Sequence, residues 1–221
     1  MALKVCLDVA NGLSVLHECC IVHSDVKADN VLLFSTDAKG GSGLTAKIAD
    51  FGFSIVEHGS GARLPGGTFP WYAPEWRDWI PARNLAKTDV YSFGLLVWRV
   101  TTRPSDPVRE IVAEATTTTK THTTGLGTIT TASVEIEHIR ASTDDRMLEA
   151  ISANTRNKLG ASDARLQSIL EVLSSTVRRD VERRSLETAR SILARENRDE
   201  EPSTRYGLFP LCWGFVDADL S

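Results

Sequence analysis

The sequence has little of what would assign a protein to a specialised class at once. Its 221 residues include four cysteines, and none has the spacing of zinc ligands. Adjacent Cys19 and Cys20 are poor disulfide partners for each other, so we expect reduced thiols in an intracellular, cytoplasmic protein. No run approaches the roughly 18 apolar residues of a membrane span, and no signal peptide is indicated. A formal charge of -4 gives no support for nucleic-acid binding.

The composition and the first twenty residues are those of an ordinary globular domain. Apolar residues make up 42% and charged residues 24%, and the length suffices for one domain with a buried core. Residues 2–20 predict a helix, because apolar positions recur every three or four residues and place one stripe against the core. That stripe comprises Leu3, Cys6, Leu7, Ala10, Leu13, Leu16 and His17.

The most informative stretch follows this helix, where an acid, a base and an amide stand at fixed spacing. It reads His23-Ser24-Asp25-Val26-Lys27-Ala28-Asp29-Asn30. Further short motifs follow in order: Asp50-Phe51-Gly52, Gly67-Thr68, Ala73-Pro74-Glu75 and Asp89-x-Tyr91-Ser92-Phe93-Gly94. Any one tripeptide alone is a weak signal, but an ordered set of about a dozen positions is not a chance match.

In this order and spacing the motifs resemble those of the eukaryotic protein kinase family, serine/threonine type, and cover only its C-terminal lobe. The resemblance extends over about residues 1–196. It implies a mainly helical fold of the α+β family: a kinase-like C-terminal helical lobe with a short β-hairpin, the N-terminal lobe being absent. Lys27, two residues after Asp25, is typical of the serine/threonine class.

The resemblance implies a phosphoryl-transfer site with ATP and Mg²⁺ as cofactors and a protein Ser/Thr hydroxyl as acceptor. Asp25 would be the catalytic base, and Lys27 would reach the γ-phosphate. Asn30 and Asp50 would bind Mg²⁺, which prefers hard oxygen donors. Leu32 would lie under the adenine, so the ATP site would comprise Lys27, Asn30, Leu32 and Asp50.

Further contacts follow from the same resemblance. Thr68 would hydrogen-bond near Asp25 and Lys27, and the rings of His23 and Phe51 would stack. Asp180-Val181-Glu182-Arg183-Arg184-Ser185 is similar to a family segment whose arginine pairs with the Ala-Pro-Glu glutamate, although both prolines of that segment are lost here. Arg184 would therefore form a structural ion pair with Glu75.

Two departures from the family pattern bear on function. Ser24 stands where the family has an arginine that receives the phosphorylated activation loop, so ordering by that route is not expected. The 221 residues also contain no Gly-x-Gly-x-x-Gly followed by Val-Ala-x-Lys, the phosphate-binding motifs of the other lobe. We expect those motifs upstream of Met1.

The chain divides into four parts on these patterns. They are the catalytic part of the lobe at 1–111, a threonine-rich and disordered insertion at 112–143, the remaining helices at 144–196, and a tail at 197–221. Within them we expect a mobile glycine-rich loop at 53–70 and helices at 88–100, 144–159, 162–180 and 185–196. Asp89 would lie at the start of the helix 88–100, where a carboxylate interacts favourably with the helix dipole. Thr143 would cap the helix 144–159, and Ser162 would cap the helix 162–180.

Two other functions remain open at this stage. One is a catalytically inactive, kinase-like interaction module, which the missing phosphate-binding motifs favour. The other is a small-molecule phosphotransferase of the antibiotic-kinase type, which shares a His-x-Asp…Asn loop. Lys27 and the Asp-Phe-Gly and Ala-Pro-Glu motifs argue against the latter. No oligomeric state can be derived from these patterns.

Overall fold

The computed structural model describes residues 1–35, 43–119, 139 and 145–198 and is mainly helical. Its helices are α1 (Ala2–Glu18), α2 (Ala82–Thr102), α3 (Pro107–Thr119), α4 (Arg146–Leu159), α5 (Leu166–Thr176) and α6 (Leu186–Arg198). Its strands are β1 (Ile21–Val22), β2 (Val31–Ser35), β3 (Leu44–Ile48), β4 (Ile55–Val56), β5 (Gly61–Ala62) and β6 (Ile80–Pro81). Over these ranges, no helix combines the length and the apolar character needed to cross a membrane.

Helix α1 supports the hairpin that follows it. Its buried residues include Leu3, Cys6 and Leu13 of the predicted stripe, and the helix ends at Glu18, two residues before the predicted end. Strands β2 and β3 pair antiparallel with Val31 opposite Ile48. Asp8 of α1 accepts a hydrogen bond from the Ala46 amide of β3 at 3.1 Å. This contact fixes the hairpin against α1.

Helix α2 is the centre of the fold, because most of its side chains from Thr88 onward are buried. It begins at Ala82, six residues before the predicted start, so the prediction that Asp89 begins the helix was wrong. Residues 82–87 include polar side chains that interrupt the apolar pattern. At Gly94 the helix lies against α5, where an added Cβ would stand 2.3 Å from Thr176 Oγ1.

The second half of the chain differs from its predicted division in two places. Helix α3 was not predicted, and it runs across the expected domain boundary at residue 112. Helix α5 begins at Leu166, so Ser162 does not cap it. Helix α4 ends at Leu159, and Gly160 follows it with a positive φ of 77°, as the sequence predicts. Thr143, the threonine-rich stretch from residue 120 and the tail from residue 199 lie outside the described residues.

The segment from Phe53 to Pro70 was predicted to be a mobile loop, but the structure shows it attached to β1, β6 and α2. Strand β4 pairs with β1, just before residues His23–Asn30, which are the predicted catalytic loop. Strand β5 pairs with β6 at the start of α2. Leu64 is buried in a small apolar cluster with Val22, Ile80 and Leu85. The glycines of this segment were the basis for predicting a mobile loop. Its pairing with β1 and β6 and the burial of Leu64 show that it is a packed part of the fold instead.

Candidate active site

The backbone at the start of the catalytic loop is held by a buried carboxylate of α2. Asp89 accepts hydrogen bonds from the amides of His23 and Ser24, each at 2.8 Å. His17 of α1 contacts the same carboxylate at 3.0 Å through Nε2. Ser24 has a φ of 68°, so the loop turns sharply there. Asp89 thereby fixes the direction in which the chain enters Asp25.

Asp25 is only 3% exposed, and its carboxylate accepts hydrogen bonds from two side chains and one backbone amide. Its Oδ2 accepts from Lys27 Nζ at 2.6 Å and from Asn30 Nδ2 at 3.0 Å. Its Oδ1 accepts from the Thr68 amide at 2.9 Å. Lys27 Nζ also donates to Thr68 Oγ1 at 2.6 Å, which closes a triangle. The hydrogen bonds expected between Thr68 and the loop are therefore present.

These contacts determine the ionisation of Asp25. Burial by itself raises the pKa of a carboxyl group. Hydrogen bonds from Lys27, Thr68 and Asn30, together with the lysine charge, outweigh that effect and hold the pKa of Asp25 below its ordinary value. Asp25 is therefore an anion at neutral pH, as a proton acceptor must be.

The base of the hairpin brings Asn30 and Asp50 to one end of the two strands. Asn30 directly precedes β2, and its carbonyl accepts from the Ala49 amide at 2.9 Å. Asp50 is the next residue after that contact. Asn30 donates through Nδ2 to the Asp25 carbonyl and carboxylate, so its Oδ1 is the atom that remains to accept. Asp50 is exposed and accepts from the Gly52 amide through Oδ1.

This donor set fits a magnesium ion. An amide oxygen and an exposed carboxylate are hard ligands, and Mg²⁺ is commonly bound by one or two protein carboxylates together with substrate phosphates and water. Asp50 has a φ of 63°, a region that aspartate tolerates better than most residues. The turn at Asp50 directs the chain away from the strand pair immediately after the hairpin.

His23 joins the two ends of the site. Its Nδ1 accepts from the Asp25 amide at 3.3 Å and its Nε2 donates to the Ala49 carbonyl at 3.1 Å, so these partners assign the proton to Nε2. The ring centroids of His23 and Phe51 are 5.2 Å apart at an interplanar angle of 56°. The expected contact of these rings is present, tilted rather than parallel.

Glu75 and Arg184 form the expected ion pair below the site. The guanidinium contacts the carboxylate with both terminal nitrogens, at 2.5 and 3.0 Å. Arg184 is 3% exposed, donates to the carbonyls of Lys87 and Arg178, and lies over the Tyr91 ring. A bidentate, buried pair of this kind joins the segment carrying Thr68 to α2 and to the residues before α6.

Sequence reasoning located the residues with reactive groups and two of their supports, Thr68 and the Glu75–Arg184 pair, but missed others. Asp25, Lys27, Asn30 and Thr68 lie in one hydrogen-bonded group, while Leu32 lies on β2 opposite Lys47. The anchoring role of Asp89 was missed, as was Ser54, whose Oγ donates to the His23 carbonyl at 3.1 Å. The aspartate in the Asp-x-Tyr-Ser-Phe-Gly motif was the available signal, because a buried acid needs donors.

Comparison with known families matches residues 1–185 to the family of protein tyrosine and serine/threonine kinases. The match covers more than half of the chain. It includes the catalytic loop, the Asp-Phe-Gly and Ala-Pro-Glu motifs, and Arg184. The chain therefore belongs to the protein kinase family.

Individual kinases resemble the chain over about half its length. It is 37% identical over 106 residues to the dual specificity protein kinase zakA of Dictyostelium discoideum, covering 45% of this chain and 13% of that protein. It is 37% identical over 101 residues to the serine/threonine/tyrosine-protein kinase HT1 of Arabidopsis thaliana, covering 45% and 24%. It is 42% identical over 108 residues to the serine/threonine-protein kinase-transforming protein mos of Moloney murine sarcoma virus (strain ts110), covering 46% and 27%.

These relatives are much longer than the region they share with this chain, which spans 27% or less of each. Their names also differ in the amino acids that they give as phosphate acceptors: one is a dual specificity kinase, one a serine/threonine/tyrosine kinase and one a serine/threonine kinase. The comparisons thus establish the family without establishing the acceptor residue.

Proposed function

We propose that residues 1–196 belong to the C-terminal lobe of a protein kinase catalytic domain, which transfers the γ-phosphate of ATP to serine or threonine hydroxyls of proteins with Mg²⁺. The observation that carries this proposal is the closed group of Asp25, Lys27 and Thr68. It places an anionic base and a cation side by side, which is what transfer to a hydroxyl requires.

Each residue of this group has a distinct role in the proposal. Asp25 Oδ1 accepts one hydrogen bond from the described residues, and a carboxylate oxygen has two lone pairs, so it can orient the acceptor hydroxyl and take its proton. Lys27 Nζ supplies positive charge beside the hydroxyl and close to the transferred group. Thr68 holds both by one backbone and one side-chain contact.

The nucleotide side of the site would be formed by Asn30, Asp50 and Leu32. Asn30 Oδ1 and the Asp50 carboxylate would hold Mg²⁺, which supplies charge neutralisation of the phosphate oxygens when bound. Leu32 would contact the adenine. Lys27, at its position in the loop, supports serine or threonine as the acceptor. Two relatives are named as kinases of broader specificity, so the acceptor residue has to be tested separately from kinase activity.

Cytoplasmic location is proposed on cysteine chemistry. Within the described ranges, Cys6, Cys19 and Cys20 are all free thiols. Burial raises the pKa of the Cys6 thiol to about 12, so it stays protonated and inert. Free exposed thiols at Cys19 and Cys20 are most compatible with a reducing compartment.

The experiment uses the chain with a kinase N-terminal lobe fused ahead of Met1 and measures phosphate transfer from labelled ATP to a mixed protein substrate. We expect transfer that depends on Mg²⁺, and phosphoserine or phosphothreonine in the product. Asp25→Asn should lower the rate by about 10²–10⁴-fold because it removes the base. Asp29→Asn is the matched control, since Asp29 lies in the same loop with an exposed side chain.

Equal rates for the Asp25→Asn and Asp29→Asn variants would contradict the catalytic role. Labelling of tyrosine alone would contradict the acceptor class and leave the kinase assignment intact.

A kinase-like interaction module without catalysis is a second candidate. The side chains of Phe51 and Phe53 are 50% and 40% exposed and present apolar surface beside the site. A folded fusion protein that neither transfers phosphate nor gains thermal stability with Mg·ATP would favour this candidate. An exposed apolar surface of this kind fits a protein partner.

A further inference from the structure

Residues 60–64, here named the clasp, lie along the residues that lead into α2. Strand β5 pairs with β6 so that Gly61 is opposite Pro81 and Ala62 is opposite Ile80. The first amide of α2, that of Ala82, donates to the Ser60 carbonyl at 3.0 Å. The clasp is thus paired with backbone that continues directly into the most buried helix of the lobe.

Gly61 permits this pairing because no side chain fits there. Its φ is 149°, and an added Cβ would stand 2.2 Å from the Ile80 carbonyl oxygen and 2.9 Å from Pro81 Cα. Both are backbone atoms, so they cannot rotate away as the end of a side chain can. Gly59 offers the contrast: its φ is also positive, at 73°, but nothing lies within 4 Å of its added Cβ.

The clasp has a second attachment through Leu64. This side chain is 8% exposed and packs in the apolar cluster with Val22, Ile80 and Leu85. The residues of this cluster come from β1, β6 and α2. The clasp is therefore fixed by backbone pairing at its beginning and by apolar burial at its end.

Only three residues separate Leu64 from Thr68, and two of them pack closely. An added Cβ on Gly66 would stand 2.5 Å from the Phe53 ring, and one on Gly67 would stand 3.1 Å from Tyr72 Cβ. A short, closely packed connection leaves little freedom for Thr68 to move independently of Leu64. The position of the clasp is thereby transmitted to the Thr68 amide that donates to Asp25.

We propose that the clasp positions Thr68 against Asp25 and Lys27, and that Gly61 is the positioning residue on which this depends. The inference rests on the proposed function only in treating Thr68 as part of the phosphate-acceptor side. The clasp would hold the residues that lead to Thr68 by the backbone pairing of β5 with β6, without a charged group.

The test measures amide hydrogen exchange residue by residue in the full chain, by nuclear magnetic resonance. Gly61→Ala should raise the exchange rates of both the Ala82 and the Thr68 amides by about tenfold or more, because local opening becomes easier. Gly59→Ala, at a position that also has a positive φ but no close contact, should leave both rates within about threefold of the original. Amides within α4 serve as the internal reference for global stability.

A faster Ala82 amide with an unchanged Thr68 amide in Gly61→Ala would overturn the proposal, since the clasp would then be only a local feature. Equal acceleration in Gly59→Ala and Gly61→Ala would also overturn it. If Gly61→Ala accelerates α4 as well, Leu64→Ala replaces it, because that change removes only side-chain contacts. The same two amides then decide the outcome, which does not depend on any phosphate transfer.

Discussion

The two aspartates of the site lie in opposite surroundings. Asp25 is almost fully buried and accepts from Lys27, Asn30 and Thr68. Asp50 is exposed, and the contact that orients it is with the amide of Gly52, two residues on. The carboxylate of Asp25 is held by residues up to 43 positions away in the sequence, whereas that of Asp50 is held by the turn in which it lies.

The contrast between Asp25 and Asp50 separates the chemistry that the described residues organise from the chemistry that needs a ligand. The side that would receive a hydroxyl is assembled from contacts within the described residues. The side that would hold the metal presents its carboxylate to solvent, ready for ligands that arrive with a nucleotide. Preorganised charge is the larger contribution to catalysis, so the acceptor side should be the more sensitive to substitution.

The largest effect should come from breaking the support under the acceptor side. Arg184→Ala leaves the Glu75 carboxylate without its bidentate partner, and loss of one member of a buried pair costs about 3–5 kcal/mol. Urea unfolding measures this loss. Arg183→Ala is the matched control, because Arg183 is exposed and should change stability by less than about 0.5 kcal/mol. Similar losses for both variants would show that the pair is not specifically stabilising.

A direct comparison replaces each aspartate by asparagine. Asp25→Asn turns an acceptor into an amide whose Nδ2 faces donors, so we expect a loss of about 2 kcal/mol in the free energy of unfolding. Asp50→Asn should cost less than about 0.5 kcal/mol, since asparagine tolerates the same positive φ. The two unfolding curves are measured under one condition. A larger loss for Asp50→Asn would reverse the comparison.

The acid side of the stability profile offers a third test. The pKa of Asp25 is lowered in the folded protein, so the unfolded state binds protons more readily at this residue. Its contribution is complete above the unfolded pKa of about 4 and is lost as the pH falls through the lower folded pKa. The stability difference between the original chain and Asp25→Asn should therefore shrink below about pH 4. Urea unfolding from pH 7 to pH 3 checks it, and a constant difference would contradict it.

The smallest effect concerns two serines beside the acceptor side. Ser24 Oγ is buried and has no hydrogen-bond partner among the described residues, whereas Ser54 Oγ donates to the His23 carbonyl. Ser24→Ala should raise stability by about 0.5–1 kcal/mol, because it removes an unsatisfied hydroxyl. Ser54→Ala should lower it by about the same amount. Thermal unfolding of the two variants gives the signs, and a loss for both would show that Ser24 has an unrecognised role.

The sequence predicts reactive groups better than it predicts their supports. Asp25, Lys27 and Asn30 are near one another in the chain, so their spacing alone brings them into one loop. The β2–β3 hairpin and α1 also follow from local pattern. The Asp89 contacts with His23 and Ser24 join residues that no local pattern connects, and the helix start at Ala82 was hidden by polar residues.

The middle segment shows the same limit. Its glycines were interpreted as flexibility, although Gly61 is the residue that allows β5 to approach β6 closely. A glycine that permits motion and a glycine that permits close packing look identical in sequence, because only the neighbouring backbone distinguishes them. Helix α3 was missed for a related reason, since the threonines at its end are poor helix formers and tertiary packing decides its extent.

The ion pair of Glu75 with Arg184 also determines when the site can form during synthesis. It joins residues 109 positions apart, and the Asp89 contact with His23 spans 66. Closing a loop between residues so far apart carries an entropy cost, so we expect these contacts to form later than those within the loop His23–Asn30. The loop His23–Asn30 is synthesised before Asp89 and Arg184, so its support is complete only after Arg184 has been synthesised. Chains that stop before that residue would carry every motif of the site without its final geometry.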